Sequence, residues 1–155
     1  MISTLQPQSK YIHPLARFVS KKAIALILKV PVEKISEIRL WARVILVLGQ
    51  GLSRFVSYAD LPPVIGVKEP TSQDFACWRK RWRKLKIKQA PDYWATFYAN
   101  RFGQCVDIAE LFSWGQLLGI IKILLSEQTI IALRSIYVEE KSYLETQIYI
   151  CASTS

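Results

Sequence analysis

The run Phe75-Ala76-Cys77-Trp78-Arg79-Lys80-Arg81-Trp82-Arg83-Lys84-Leu85-Lys86-Ile87-Lys88 decides how the rest of the chain is read. Phe75, Trp78, Trp82 and Leu85 are spaced three, four and three apart. At about 100° per residue they fall on one narrow stripe of an α-helix. Lys80, Arg83 and Lys84 point to the opposite side, Arg79 and Lys86 flank one edge of the stripe, and Arg81 and Lys88 flank the other. The spacing predicts an amphipathic helix with an apolar front and a cationic back. Thr71 followed three residues later by Asp74, just after Pro70, is a capping-box pattern. It starts the helix, which is expected to run to about Gln89.

Such a helix is not favoured alone. Six like-charge pairs stand at helical contact spacing, 79/83, 80/84, 84/88, 80/83, 81/84 and 83/86, each costing ~0.2 to 0.5 kcal/mol before screening. A solvated face would intersperse Glu or Asp. A core helix whose charges merely solvate accounts for the tryptophans and leaves the missing acids unexplained. An anionic macromolecular partner accounts for both, as does docking onto the acidic C-terminal half of the same chain. Residues 77 to 90 carry +7 without an acid, residues 1 to 30 carry +5, and residues 91 to 155 carry −3. Among anionic partners, a membrane surface takes the apolar stripe for itself. A nucleic acid leaves it to the core and meets the cationic back with its phosphates. Arg79, Lys80, Arg81, Arg83, Lys84, Lys86 and Lys88 are therefore the candidate nucleic-acid-binding residues, for DNA or RNA.

The surrounding chain is 155 residues, 51% hydrophobic and 21% charged, with net charge +9. That is enough apolar surface for a core without disulfides or metal. The apolar stretches Leu40 to Leu48 and Ile108 to Leu125 are broken by Arg43 or by Glu110, Gln116 and Lys122, whereas a membrane-spanning helix wants ~20 nearly uncharged residues. Cys77, Cys105 and Cys151 are three and far apart, and His13 is the one histidine. Neither a disulfide framework nor a zinc site is expected. Met1 to Ser9 are mostly polar and carry no charged side chain, and the apolar run that follows contains Lys21, Lys22 and Lys29. This is not a signal-peptide layout, so cytoplasmic residence is expected.

Working outward, Leu15, Phe18, Val19, Ile24 and Leu28 suggest a helix from Pro14 toward Pro31. Ile35, Ile38, Leu40, Trp41, Val44 and Leu48 suggest a second, about Val32 to Leu48, ended by Gly49 and Gly51. Leu52 to Pro70, with Pro62, Pro63, Gly66 and Pro70, reads as a long loop or linker. A short helix from Ala90-Pro91-Asp92 to Gly103 follows the tryptophan helix. Val106 to Ser126, apolar nearly all round, is expected at the centre of the core, with Gly115 and Gly119 allowing close helix packing. Thr129 to Ile150 is ambiguous: Leu133 and Tyr137 suit a helix, and Ile148-Tyr149-Ile150 suits a short strand near the C-terminus. The expected fold is a mostly α, single compact domain, 1 to 155, of about five helices.

Residues 21 to 40, with Ala25 at the small position where two helices touch, Leu28 and Val30 at the turn's apolar sites, and Ile35 and Ile38 inward, resemble the helix-turn-helix motif of bacterial DNA-binding proteins. Lys29 stands where the motif's turn commonly has Gly. The resemblance implies a recognition helix presenting Val32, Lys34, Ser36 and Arg39 to DNA, supported upstream by Lys10, Arg17, Lys21 and Lys22. A plain helical hairpin has the same spacing.

Catalysis finds little support. His13 has no identifiable nucleophile beside it in sequence, and Gly49-Gln50-Gly51 is too short for a phosphate loop. Asp107 and Glu110 read as helix-start charge. A binding protein without enzymatic activity or cofactor is expected. Its rival is a protein-interaction or assembly factor, in solution or at an anionic membrane surface, using the aromatic-rich segment 75 to 102 with Trp78, Trp82, Tyr93, Trp94, Phe97, Tyr98 and Phe102 partly exposed.

Overall fold

Ser20 starts the first helix, α1 (Lys21–Leu28), by accepting a hydrogen bond from the Ala23 amide on its hydroxyl. The computed structural model describes residues 12–154, which divide into two units with the boundary at Lys86/Ile87. In the first unit, α1 buries Ala23, Ile24, Ala25 and Leu28. It ends with Lys29 in the left-handed region at φ 57°, as the Val30 amide donates to Ala25 O and the Lys29 amide to Leu26 O. That is the turn usually given to glycine.

The expected second helix, Val32 to Leu48, is absent. A single 3-10 turn, Val32–Lys34, leads into strand β1 (Ile35–Leu40), followed by β2 (Ile45–Gly49) and β3 (Leu52–Val56), in one antiparallel sheet of order β1-β2-β3. The β-branched residues Ile35, Ile38, Val44, Ile45, Val47 and Val56 favour the pleated surface over a helix. Within the strands Ile38 alternates with Leu40, and Ile45 with Val47, and all four are buried. Of Gly49 and Gly51, expected to close a helix, Gly49 instead ends β2 and Gly51, at φ 68°, forms with Gln50 the two-residue connection to β3. Gly49 admits no side chain, because a Cβ there would lie 1.9 Å from the Lys34 carbonyl oxygen. The supposed loop Leu52 to Pro70 thus begins with β3 and a 3-10 turn, Tyr58–Asp60, and then buries Leu61.

Helix α2 (Ser72–Lys84) starts as its sequence predicts: the Asp74 amide donates to Thr71 Oγ1 and the Thr71 amide to Asp74 Oδ2, at 3.3 and 2.8 Å. Asp74 is only 2% exposed. Arg17 forms an ion pair with it and donates to the backbone carbonyls of Pro14, Lys68 and Glu69. One guanidinium therefore ties the 3-10 turn Pro14–Phe18 to the segment that enters α2.

The second unit is helical: α3 (Asp92–Gly103), α4 (Ile108–Ile121), a 3-10 turn (Lys122–Leu124) and α5 (Glu127–Thr154). Its core is aromatic, with Phe97, Tyr98 and Trp114 meeting edge to face at centroid separations of 5.3 to 6.1 Å. The short strand expected at Ile148-Tyr149-Ile150 is replaced by the continuation of α5. No Gly or Pro interrupts residues 127 to 154, so propagation from the packed first half adds one hydrogen bond per residue. Among the described residues the fold is thus five α-helices plus a three-stranded sheet in the N-terminal half, which corrects both the absence of a sheet there and the C-terminal β element. Helix α4 buries only the stripe Leu111, Trp114, Leu117 and Ile121, leaving Phe112 exposed, so it lies at the side of its core and not at the centre.

Acid stability follows from two groups of the first unit. Burial raises the Asp74 carboxyl, but hydrogen bonds from Arg17 and Thr71 and the Arg17 charge outweigh it and hold the carboxyl below its usual range. Burial lowers His13, whose Nδ1 accepts from the Leu15 amide and whose ring stacks on Tyr58 at 4.3 Å. Both folded pKa values are depressed, so the unfolded chain binds protons first and stability falls with pH. We expect the loss to begin near pH 6.5 through His13 and to steepen near pH 4 through Asp74. Urea melts across this range check it. His13→Gln should flatten the upper part and Asp74→Asn the lower.

Candidate nucleic-acid interface

Trp78 and Trp82 are 0% and 1% exposed. The Trp78 indole packs against Phe18 and Phe75 at 5.9 and 6.1 Å between centroids and donates to Leu61 O at 3.2 Å. Burial of large apolar side chains stabilises by ~1.5 to 3 kcal/mol each, so these two rings fix the rotation of α2 about its axis. The cations then have one place to go. Arg79, Lys80, Arg83 and Lys84 are exposed along the outer side of α2. Arg79 also lies over the Phe75 ring at 5.8 Å.

The seven predicted residues do not stay together as one set. Arg81 turns inward and forms a two-point ion pair with Asp60, at 2.9 and 3.3 Å. Helix α2 stops at Lys84, not Gln89, because Lys86 adopts φ 60° while its amide donates to Arg83 O. The early stop takes the 84/88 and 83/86 like-charge contacts out of the helix. Leu85, the last member of the expected stripe, is 46% exposed and anchors nothing. Lys86 follows the helix in the first unit and Lys88 belongs to the second. Both are exposed. The side chains that share the helix and carry no ion pair among the described residues are Arg79, Lys80, Arg83 and Lys84.

The charge is also divided by unit. The first holds sixteen Lys and Arg against five Asp and Glu, and the second five against seven. Three of the first unit's five acids, Glu37, Asp60 and Asp74, already hold Arg39, Arg81 and Arg17. Of the upstream cations, Arg17 is taken by the clamp on Asp74, and Lys10 lies outside the described residues.

Comparison with known protein families, with curated proteins and with solved structures finds no match.

The residues of the expected recognition helix occupy a turn and a strand. Val32 and Lys34 belong to the 3-10 turn, and Ser36 and Arg39 to β1. Ser36 Oγ donates to Leu48 O across the hairpin, and Arg39 pairs with Glu37. They present no helix face, since β-branched pairing overrides the apolar spacing that resembled one. Asp107 accepts from the Glu110 amide and Glu110 from the Val106 amide, so this carboxylate pair caps α4. The Cys105 thiol donates to Arg101 O, and burial pushes it up to about 11. Among the described residues no cluster of His, Cys, Asp or Glu suits a metal, and no helix is long and apolar enough to cross a membrane.

The division within the basic run is measurable by thermal melts. Arg81→Ala should destabilise by about 1 kcal/mol, the worth of a partly buried two-point ion pair. Arg83→Ala should stay within about 0.5 kcal/mol of the parent, as surface substitutions do.

Proposed function

We propose that the chain is a non-enzymatic binding protein that engages nucleic acid through the cationic side of α2, by contacts to phosphates and not by reading bases. The observation that carries this is the anchored helix: with Trp78 and Trp82 buried, Arg79, Lys80, Arg83 and Lys84 project outward without an ion pair among the described residues. A rigid row of unpaired cations has a reason to persist despite its self-repulsion when phosphates neutralise it on binding. Arginines alternating with lysines add planar two-point contacts to phosphate oxygens.

The burial that supports this reading counts against its competitors. A membrane-surface helix needs its apolar stripe in lipid. A protein interface built on the aromatic segment 75 to 102 needs exposed rings. Of the seven rings named, Trp78, Trp82, Trp94, Phe97, Tyr98 and Phe102 are each at most 1% exposed and belong to the cores of two different units, and Tyr93 is half-buried.

Fluorescence anisotropy with a short labelled duplex, at several salt concentrations, tests the proposal. The parent should bind duplexes of unrelated sequence alike, with log K falling linearly in log salt. Lys80→Glu, Arg83→Glu and Lys84→Glu combined should reduce that slope by about 2 to 3, at about 0.9 per phosphate contact. The melting temperature should be retained. Equal slopes for parent and triple variant would end this reading.

A further inference from the structure

Gly115 and Gly119, four residues apart on α4, have different surroundings. A Cβ at Gly115 would lie 2.7 Å from Tyr137 Cε2, so this glycine allows the contact between α4 and α5. At Gly119 nothing lies within 4 Å of the corresponding position, so close helix packing does not explain it. It lines a cavity of about 360 Å³ in the second unit, walled by Phe102, Phe112, Leu118, Leu125, Ile130 and Leu133. That volume is at the lower end of the ~300 to 1,000 Å³ of small-molecule sites, suited to one chain and not to a two-tailed lipid.

The charged groups of this cavity have one sign, beside the neutral Gln116 and Tyr137. Lys122 and Arg134 line it, both exposed, and neither side chain has a hydrogen bond or ion pair among the described residues. The unit has five cations and seven acids. Two of the five cations line the cavity and none of the seven acids does. In a net-acidic unit, apolar walls with unpaired cations complement a ligand with an apolar body and a single anionic head.

We propose that this cavity binds an aliphatic carboxylate, with its hydrocarbon chain against the α4 and α5 walls over Gly119 and its carboxylate paired with Lys122 and Arg134. The site is separate from the basic face of α2 and does not depend on it.

Titration calorimetry of the full chain with dodecanoate, kept below micelle formation, and with dodecanol as the uncharged counterpart tests it. The parent should bind one dodecanoate per chain. Lys122→Gln with Arg134→Gln should weaken dodecanoate about tenfold or more, the ratio expected for a lost charge-assisted contact, and leave dodecanol unchanged. Gly119→Leu should abolish binding of both while the melting temperature holds or rises. Absence of saturable binding to the parent would overturn the proposal, as would equal weakening of dodecanoate and dodecanol by the double variant. So would a parent dimer that Gly119→Leu dissolves without any dodecanoate binding, which would give the cavity to a second copy of the chain. The glutamine pair is on the surface, so the charge arm stands even if the leucine variant fails to fold.

Discussion

The Arg17 guanidinium on the buried Asp74 carboxylate is the contact on which the first unit depends. Asp74 is nearly without solvent, and a buried carboxylate without its partner is among the more costly defects a fold can carry, about 3 to 5 kcal/mol when one member of the pair is removed. The same carboxylate closes the capping box of α2, and the same guanidinium holds three backbone carbonyls. The N-terminal turn, the entry of α2 and its first hydrogen bonds are therefore fixed together. With that end set and two indoles buried further along, α2 has one orientation, and its cations face out as a consequence.

Electrostatics and packing act in opposite directions within this helix. Packing of Trp78 and Trp82 holds together a row of charges that repel one another, and the fold relieves the repulsion where it can. Arg81 is neutralised by Asp60, and the helix ends before Lys86 and Lys88 can add to the row. Among the described residues Arg79, Lys80, Arg83 and Lys84 are left without an ion pair, and they are the groups proposed above to meet phosphates.

The parts legible in the sequence were those set by local contacts. The Thr71 to Asp74 cap and the inward turn of Trp78 and Trp82 each depend on neighbours within one or two turns, and the structure places them as expected, while Leu85 at the end of the stripe lies past the helix and exposed. From Val32 to Leu48 the apolar positions 35, 38, 41, 44 and 48 fit a helix and the prolines and Gly66 beyond Leu52 fit a loop, whereas the β-branched content and the two-residue Gln50-Gly51 connection favour the hairpin that forms. The pairing of Arg81 with Asp60 spans 21 residues of sequence, and no local pattern encodes it. Gly119 looked like Gly115 on paper, and only the path of α5 separates a packing glycine from one that lines a cavity.

Nitrogen-15 NMR of the chain titrated with a short duplex DNA addresses the central claim most directly, because amide and indole signals report separately on the outer and inner sides of α2. The account predicts fast, salt-sensitive shifts confined to the amides and guanidinium groups of residues 79 to 86. The indole Nε1 signals of Trp78 and Trp82 should stay in place. Movement of those indole signals on binding, as base stacking would produce, or perturbations centred on the second unit, would contradict it.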